Sequence, residues 1–115
     1  MIPDGPRKLL SQIRRGAIEY CVLALLESRD RYGLEITKAL IDADELVTSE
    51  GTVYPLLTRL RNEGLVDTYI QESSEGPPRR YYRLTTAGQA GLGIFRQQWA
   101  RFRDSVDDVL RGGRP

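Results

Sequence analysis

The spacing of the apolar residues changes twice along this chain, and this change limits the folds open to it. Up to Gly64, apolar residues recur every three or four positions, as they do on one face of a helix. Residues 66–72 and 79–85 instead alternate and are rich in β-branched and aromatic side chains, as strands are. From Thr86 the helical spacing returns and continues to Arg111. The sequence therefore predicts a mainly α fold with three helices, a small β-hairpin and one long C-terminal helix.

Three helices are predicted before the hairpin. The first covers residues 9–26 with Gly16 as a weak point, the second covers residues 32–41, and the third begins at Ser49 or Thr52. Gly64 is well placed just past the end of the third helix, because glycine accepts the left-handed backbone that commonly closes a helix.

Pro55 raises a problem for the third helix. Proline has no N–H to donate to the carbonyl four residues back, and its ring crowds that carbonyl. Two arrangements relieve the conflict: the helix begins near Thr52, which leaves Pro55 in its first turn, or the flexible Gly51 absorbs a kink. A helix start with a glycine backbone and the hydroxyls of Ser49 and Thr52 suits close approach to phosphates and base edges.

The loop "SSEGPP" joins the two predicted strands and is followed by Arg79, Arg80 and Arg83. Its two prolines cannot pair in a strand, so we expect a stiff, exposed loop. Three helices followed by a two-stranded wing form a winged helix-turn-helix, whose third helix enters the DNA major groove by its N-terminal end. The predicted architecture therefore indicates a DNA-binding protein.

The long C-terminal helix carries the clearest periodicity in the chain. Thr86 and Gln89 form a capping-box pattern at its start, and at 1.5 Å per residue it would reach roughly 35–40 Å. A core of this size cannot cover that length, so we expect part of its apolar seam to pack against a second copy, although docking within one chain stays open. The seam steps by three and four residues through Leu92, Phe95, Trp99, Phe102, Val106 and Val109.

Composition narrows the function classes. The 115 residues contain no histidine and one cysteine, so the usual general base and any multi-cysteine metal site are missing and we expect neither an enzyme nor a metal or other cofactor. The lone Cys21 lies in an apolar run where an inert thiol is expected. That run, residues 21–26, is the longest strictly apolar one and is far shorter than a membrane span. Since the first residues also lack a signal-peptide pattern, we expect a cytoplasmic protein without membrane contact.

Four motifs together resemble the PadR family of transcriptional regulators. They are "YGLEITKAL", "TSEGTVYPLLTRLRNEGLV", "GPPRRYYRLTTAG" and the terminal helix with its tryptophan, and the resemblance covers roughly residues 9–110. The length resembles the short subfamily with one C-terminal dimerisation helix. The resemblance implies a winged helix-turn-helix DNA-binding domain over residues 1–85 and a dimerisation helix over residues 86–115. It also implies a homodimeric repressor that leaves its operator when a small molecule or another signal binds.

The resemblance also implies which residues contact DNA. It assigns DNA contacts to the start of the recognition helix, at Ser49, Thr52, Tyr54 and Pro55, and to Arg59 further along that helix. In the wing it assigns Gly76, Arg79 and Arg80. It also assigns Tyr32 and Gly33 at the start of the second helix, and Arg14 and Arg15 at a basic position in the first helix.

A second implied site lies at the dimer interface. In short members of the family, the tryptophan that matches Trp99 can line a cavity that takes flat aromatic compounds, and paired indoles suit a planar ligand. Ordinary dimer packing is the alternative role for this residue. The interface set is Leu92, Phe95, Trp99, Phe102 and Val106.

A dimer of winged helices predicts a pseudo-palindromic double-stranded operator, because the protein's two-fold symmetry is mirrored in the DNA. The competing hypothesis is a winged helix that serves only as a protein-interaction module without specific DNA binding. A net charge of only +1 and the acidic stretch of residues 42–50 support that alternative.

Overall fold

The helices and strands follow the predicted order. The computed structural model describes residues 9, 13, 15–43 and 50–113, and the fold in this part of the chain is mainly α with a small antiparallel sheet. In chain order the elements are α1 (Ile18–Ser28), β1 (Arg31–Tyr32), α2 (Gly33–Asp42), α3 (Glu50–Asn62), β2 (Val66–Gln71), β3 (Arg79–Leu84) and α4 (Thr86–Leu110).

The first predicted helix, over residues 9–26, is interrupted at its expected weak point, Gly16. Residues 15–17 form a turn in which Gly16 has a φ of 89°, and α1 begins only at Ile18. Leu9 and Ile13, which lie before this turn, are helical and exposed. The turn therefore separates Leu9 and Ile13 from α1.

Helix α3 excludes the arrangement in which Pro55 lies in the first turn. The helix begins at Glu50, so Pro55 lies inside it and not in its first turn. The carbonyl of Gly51 is the one that Pro55 cannot bond. Since both residues are exposed, water can satisfy that carbonyl and the cost of the proline is reduced.

The end of α3 confirms the predicted stop. Gly64 has a φ of 77°, and its N–H donates to the carbonyl of Arg61 at 3.0 Å. The N–H of Leu65 reaches the carbonyl of Leu60, also at 3.0 Å. This pair of bonds is the Schellman motif, which satisfies the last carbonyls of a helix and turns the chain sharply into β2.

The sheet has the order β1-β3-β2, and both strand pairs are antiparallel. The predicted hairpin is confirmed, with Val66 opposite Leu84 and Gln71 opposite Arg79. Strand β1 was not predicted, because two residues are too few to show alternation. Within β3, Tyr82 is buried in the core, so Arg80 lies on the core-facing side and Arg79 on the outer side.

Helix α4 is anchored at its start and exposed toward its end. Its N-cap is Thr85 and not the predicted Thr86: the Thr85 hydroxyl accepts from the N–H of Gly88 at 3.0 Å and donates to the Gly64 carbonyl at 2.7 Å. A Cβ on Gly88 would collide with the backbone carbonyl of Leu65, so only glycine lets α4 approach β2 this closely.

The core lies between the helices and the inner face of the sheet. An ion pair also connects α4 with α1, because Arg96 donates to both carboxylate oxygens of Glu27, at 3.1 and 2.9 Å. No helix in the described part of the chain has the length and apolar character needed to cross a membrane. The buried apolar residues are Val22, Leu23, Leu26, Ile36, Leu40, Val53, Leu56, Leu57, Leu60, Val66, Tyr82 and Leu92.

Candidate nucleic-acid interface

A cleft of about 270 Å³ opens where the start of α2, helix α3 and the first half of β3 meet. It brings together four of the residues predicted to contact DNA, from three separate parts of the sequence. Its lining consists of Tyr32, Gly33, Leu34, Tyr54, Arg80 and Tyr82.

The start of α2 forms one wall of the cleft and is held on several sides. Tyr32 belongs to β1 and pairs with Tyr81 of β3, and the two rings meet edge to face at 5.5 Å between centroids. The N–H of Tyr32 donates to the carboxylate of Glu35 at 3.1 Å, which satisfies a donor at the helix start. The buried hydroxyl of Thr37 donates to the carbonyl of Gly33 at 3.0 Å. This wall is therefore fixed without any ligand.

Tyr54 of α3 forms the opposite wall. Its phenol ring lies directly against the Gly33 backbone, while 41% of the residue remains exposed. The buried Val53, Leu56 and Leu57 seat this helix in the core. The apolar face of α3 thus turns Tyr54 outward into the cleft.

Arg80 and Arg79 occupy opposite faces of the wing. Arg80 lines the cleft, and its Nη1 donates to the hydroxyl of Thr68 at 3.3 Å. The guanidinium of Arg79 lies 4.5 Å from the centroid of the Tyr32 ring, on the outer face of the sheet. A cation over an aromatic face is attracted to it. Arg79 therefore packs on the residue that also borders the cleft.

The outer face of the sheet is stiffened by a row of side chains beside Arg79. The rings of Tyr69 and Tyr81 stack at 5.5 Å, and the Tyr69 hydroxyl donates to the carboxylate of Asp30 at 2.7 Å. That hydrogen bond and the negative carboxylate raise the pKa of Tyr69. Arg83 pairs with Asp67 at 3.0 Å, which raises the pKa of Arg83 and engages it within the sheet.

The remaining predicted DNA contacts fall at different places. Thr52 and Pro55 are exposed in the first half of α3, and Gly76 is exposed in the loop between β2 and β3. Arg59 lies further along α3, where its Nη2 is 2.8 Å from a carboxylate oxygen of Glu19 on α1. Its predicted contact with phosphate must therefore compete with this ion pair.

Arg15 lies away from the cleft, and two predicted residues are not described. Arg15 lines a different cavity beside α4, so it does not share a site with Tyr54 or Arg80. Arg14 and Ser49 lie outside the described residues. For all of these positions, contact with DNA stays a prediction.

Sequence reasoning missed two residues of the cleft, Leu34 and Tyr82. Tyr82 had a usable signal, because it stands two residues after Arg80 in an alternating segment and must share its face of the strand. No sequence signal marked Leu34, because its place in the cleft depends on how the short strand β1 positions α2 against the wing.

The second predicted site contains a row of aromatic rings along α4. Tyr20 of α1 stacks on Phe95 at 4.1 Å with 6° between the ring planes, and Phe95 in turn stacks on Trp99 at 5.8 Å. Phe102 continues the row, 6.3 Å from Trp99. Sequence reasoning missed Tyr20. A cavity of about 440 Å³ beside this row is lined by Ile13, Arg15, Gly16, Ala17, Phe95, Gln98, Trp99 and Phe102.

The predicted seam of α4 changes character along its length. Leu92 is 2% exposed, whereas Phe102 is 63% and Val109 is 74% exposed. Phe102 and Val109 also border a smaller apolar hollow, of about 260 Å³, near the end of the helix. The described part of the chain therefore covers only the beginning of the seam.

The one thiol of the chain has the properties of a structural residue. Cys21 is partly buried on α1, and this burial raises its pKa, which disfavours the thiolate needed for nucleophilic attack. No group of three or more acidic or cysteine side chains in the described ranges is arranged to hold a metal ion.

Known proteins are similar to this chain over 72–93% of its length. A transcriptional regulator of Mycobacterium tuberculosis is 34% identical over 83 residues, which is 72% of this chain and 76% of that protein. A PadR-like transcriptional regulator from Bacillus cereus is 34% identical, with a TM-score of 0.78 over 86% of this chain and 96% of its own. A PadR family regulator from Eggerthella lenta is 31% identical, with a TM-score of 0.83 over 93% of each chain.

The matched region includes the whole cleft. Residues 22–94 match the model of the "Transcriptional regulator PadR-like family", from within α1 into the first turns of α4. The family consists of transcriptional regulators, so the expectation that this protein is not an enzyme is confirmed. The winged helix-turn-helix, the cleft between its recognition helix and its wing, and these matches agree: the chain belongs to the PadR-like family of DNA-binding transcriptional regulators.

Proposed function

We propose that this protein is a cytoplasmic homodimeric repressor that binds a pseudo-palindromic double-stranded operator and is released by a planar aromatic compound or another signal. Residues 1–85 form the DNA-binding unit and residues 86–115 the dimerisation helix. The observation that carries the proposal is the cleft, which joins the start of α2, Tyr54 of the recognition helix and Arg80 of the wing. No cofactor takes part.

The cleft supports contact with the DNA backbone and the groove edges. Tyr54 supplies a half-exposed phenol at the recognition helix, where a hydroxyl can donate to a phosphate or a base edge. Arg80 supplies a guanidinium from the other side, and its 3.3 Å bond to Thr68 is one that a phosphate can replace. A duplex that meets both groups touches the recognition helix and the wing together.

The exposed end of the α4 seam supports the homodimer. Phe102, Val106, Val109 and Leu110 form an apolar stripe at the surface, and such stripes mark sites that another molecule covers. A second copy offers the same stripe and can cover it by two-fold symmetry. The two recognition helices then have to sit about 34 Å apart to enter successive major grooves.

Contacts between helices support a route from the aromatic cavity to the recognition helix. Trp99 and Phe95 carry the row of rings to Tyr20 on α1. The neighbouring residue on α1, Glu19, pairs with Arg59 of α3. A planar ligand that stacks on Trp99 would shift this row, tilt α4 against α1 and change the separation of the two wings. The groups that bind ligand and DNA are thus linked through α1.

Operator binding is tested by fluorescence anisotropy of a labelled duplex that covers the region upstream of the protein's own gene. A scrambled duplex of equal length is the control, and both are titrated across a salt series. We expect a strong preference for the upstream duplex. Equal, salt-driven binding to both duplexes would assign the operator to another gene. Binding to neither would favour the protein-interaction module.

Release by a ligand is tested with the intrinsic fluorescence of Trp99, the only tryptophan in the chain. A panel of planar aromatic dyes of either charge is titrated into the protein and into the protein–operator complex. We expect quenching by at least one dye and loss of anisotropy at the same dye concentration. Quenching without release would leave the cavity as a binding site that does not control DNA binding.

A further inference from the structure

Gly33 stands at a position whose backbone does not require glycine. Its φ lies outside the left-handed region, which Gly16, Gly64 and Gly112 occupy among the described glycines. What excludes a larger residue is a neighbour. A Cβ on Gly33 would lie 2.6 Å from Cε1 and 2.7 Å from the hydroxyl oxygen of Tyr54. The ring of Tyr54 therefore rests on bare backbone.

The backbone of Gly33 is held by groups other than Tyr54. The preceding residue, Tyr32, is paired in β1 and donates its N–H to Glu35 at 3.1 Å. The Gly33 carbonyl accepts a buried hydrogen bond of 3.0 Å from Thr37. The atoms of Tyr54 that a Cβ would meet are the far end of a flexible side chain. If the two groups collide, the ring is the part that moves.

We propose that Gly33 is a positioning residue for DNA recognition: because it lacks a Cβ, it seats the Tyr54 ring at the cleft in the position that meets DNA. The inference rests on the proposed role of the cleft in operator binding. The edge of the ring that carries Cε1, Cζ and the hydroxyl packs on Gly33, while 41% of Tyr54 remains exposed. A side chain that is already ordered loses less conformational entropy when the complex forms.

A double-mutant cycle in operator affinity tests this role. We expect Gly33→Ala to weaken binding about tenfold, roughly as much as Tyr54→Ala, which is the loss of one ordinary contact. In the Tyr54→Ala background, Gly33→Ala should change the affinity by less than about twofold, because the ring it displaces is gone. Tyr54→Phe keeps Cε1 but lacks the hydroxyl, so Gly33→Ala should weaken binding in that background by less than it does in the wild type. Gly93→Ala is the matched control, since its Cβ meets no atom within 4 Å.

Two further readouts separate the possible failures. Thermal unfolding of each variant, followed by circular dichroism, should show Gly33→Ala folded; an unfolded variant would mean that the ring cannot move and would overturn the proposal. Additive effects of the two substitutions on affinity, with normal binding by the wild type, would overturn the role of Gly33 alone. A wild type that binds no specific duplex would overturn the operator-binding function as well.

Discussion

The cleft and the far end of α4 are both rich in aromatic and apolar side chains, but among the described residues the far end of α4 leaves more of its apolar surface exposed. In the cleft, Tyr82 is 7% exposed and Tyr54 rests against Gly33. On α4, Phe102 is 63% and Val109 is 74% exposed. Phenols and guanidinium groups can face water until DNA arrives, whereas an apolar stripe in water is unfavourable. The difference fits the roles proposed for the two regions: DNA would bind side chains that tolerate water, whereas a second copy would cover an apolar stripe.

The largest expected effect comes from placing a charge in the exposed apolar stripe of α4. We expect Phe102→Glu to convert the proposed dimer, of twice 13.0 kDa, into a monomer, because a carboxylate buried in an apolar interface has no partner. Operator affinity should then fall by about two orders of magnitude or more, since two linked half-site contacts become one. Light scattering coupled to size-exclusion chromatography gives the mass, and anisotropy gives the affinity.

The control for Phe102→Glu is Gln97→Glu, which adds the same charge at an exposed position of α4 outside the seam. It should leave both the mass and the operator affinity unchanged. A monomeric wild type, or a dimer that survives Phe102→Glu, would contradict the assignment of the seam to a second copy.

A smaller effect is expected from the arginines of the wing. Arg80→Ala should weaken operator binding roughly tenfold and more than Arg79→Ala, because Arg80 lines the cleft and Arg79 packs on Tyr32. The double variant should also flatten the dependence of affinity on salt, since each lost phosphate contact removes about 0.9 from the slope. Affinities measured across a salt series give both quantities.

Arg101→Ala on α4 removes the same charge from an exposed site that does not line the cleft, and it is the control. If Arg80→Ala and Arg79→Ala together leave the affinity and the salt slope at the wild-type values, the wing does not take part in binding.

The fold was predictable from the sequence where local chemistry determines it. The switch from helical to alternating spacing located the hairpin, and Gly64 predicted the end of α3, because these features depend on neighbouring residues alone. Gly16 was recognised as a weak point of the first helix, whereas strand β1 was missed. Strand β1 exists through its pairing with β3, a long-range contact that two residues cannot reveal.

The candidate site was predictable only in part, for the same reason. The family motifs named Tyr32, Gly33, Tyr54 and Arg80, and these four line one cleft. Their mutual geometry depends on packing: nothing in the sequence shows that the ring of Tyr54 lies on Gly33, or that Arg59 pairs with Glu19 forty residues away. Contacts of this kind decide which arginines are available to DNA.

The ion pair of Arg59 and Glu19 tests whether an arginine that already has a carboxylate partner still contributes to DNA binding. If Arg59 contacts phosphate, Glu19 competes for it, and we expect Glu19→Gln to strengthen operator binding by about two- to fivefold, while Arg59→Ala weakens it by a similar factor. Glu63 is an exposed carboxylate just past the end of α3, and Glu63→Gln controls for the change in net charge. Equal effects of the two Glu→Gln changes would show that only overall charge is involved.

The smallest expected effect concerns the ion pair between Glu27 of α1 and Arg96 of α4. The hydrogen bonds from Arg96 lower the pKa of Glu27 below its usual value of 4.5, so the ionised form is favoured in the folded state. The stabilisation is therefore fully present above about pH 4.5 and is lost as the pH falls through the lower, folded pKa. We expect Glu27→Gln to lower the melting temperature slightly at neutral pH, and this difference from the wild type to shrink in acid. Because Glu27 and Arg96 are exposed, the change stays small. A difference that grows in acid, or that Glu63→Gln reproduces, would contradict a specific role of this pair in holding α4 on α1.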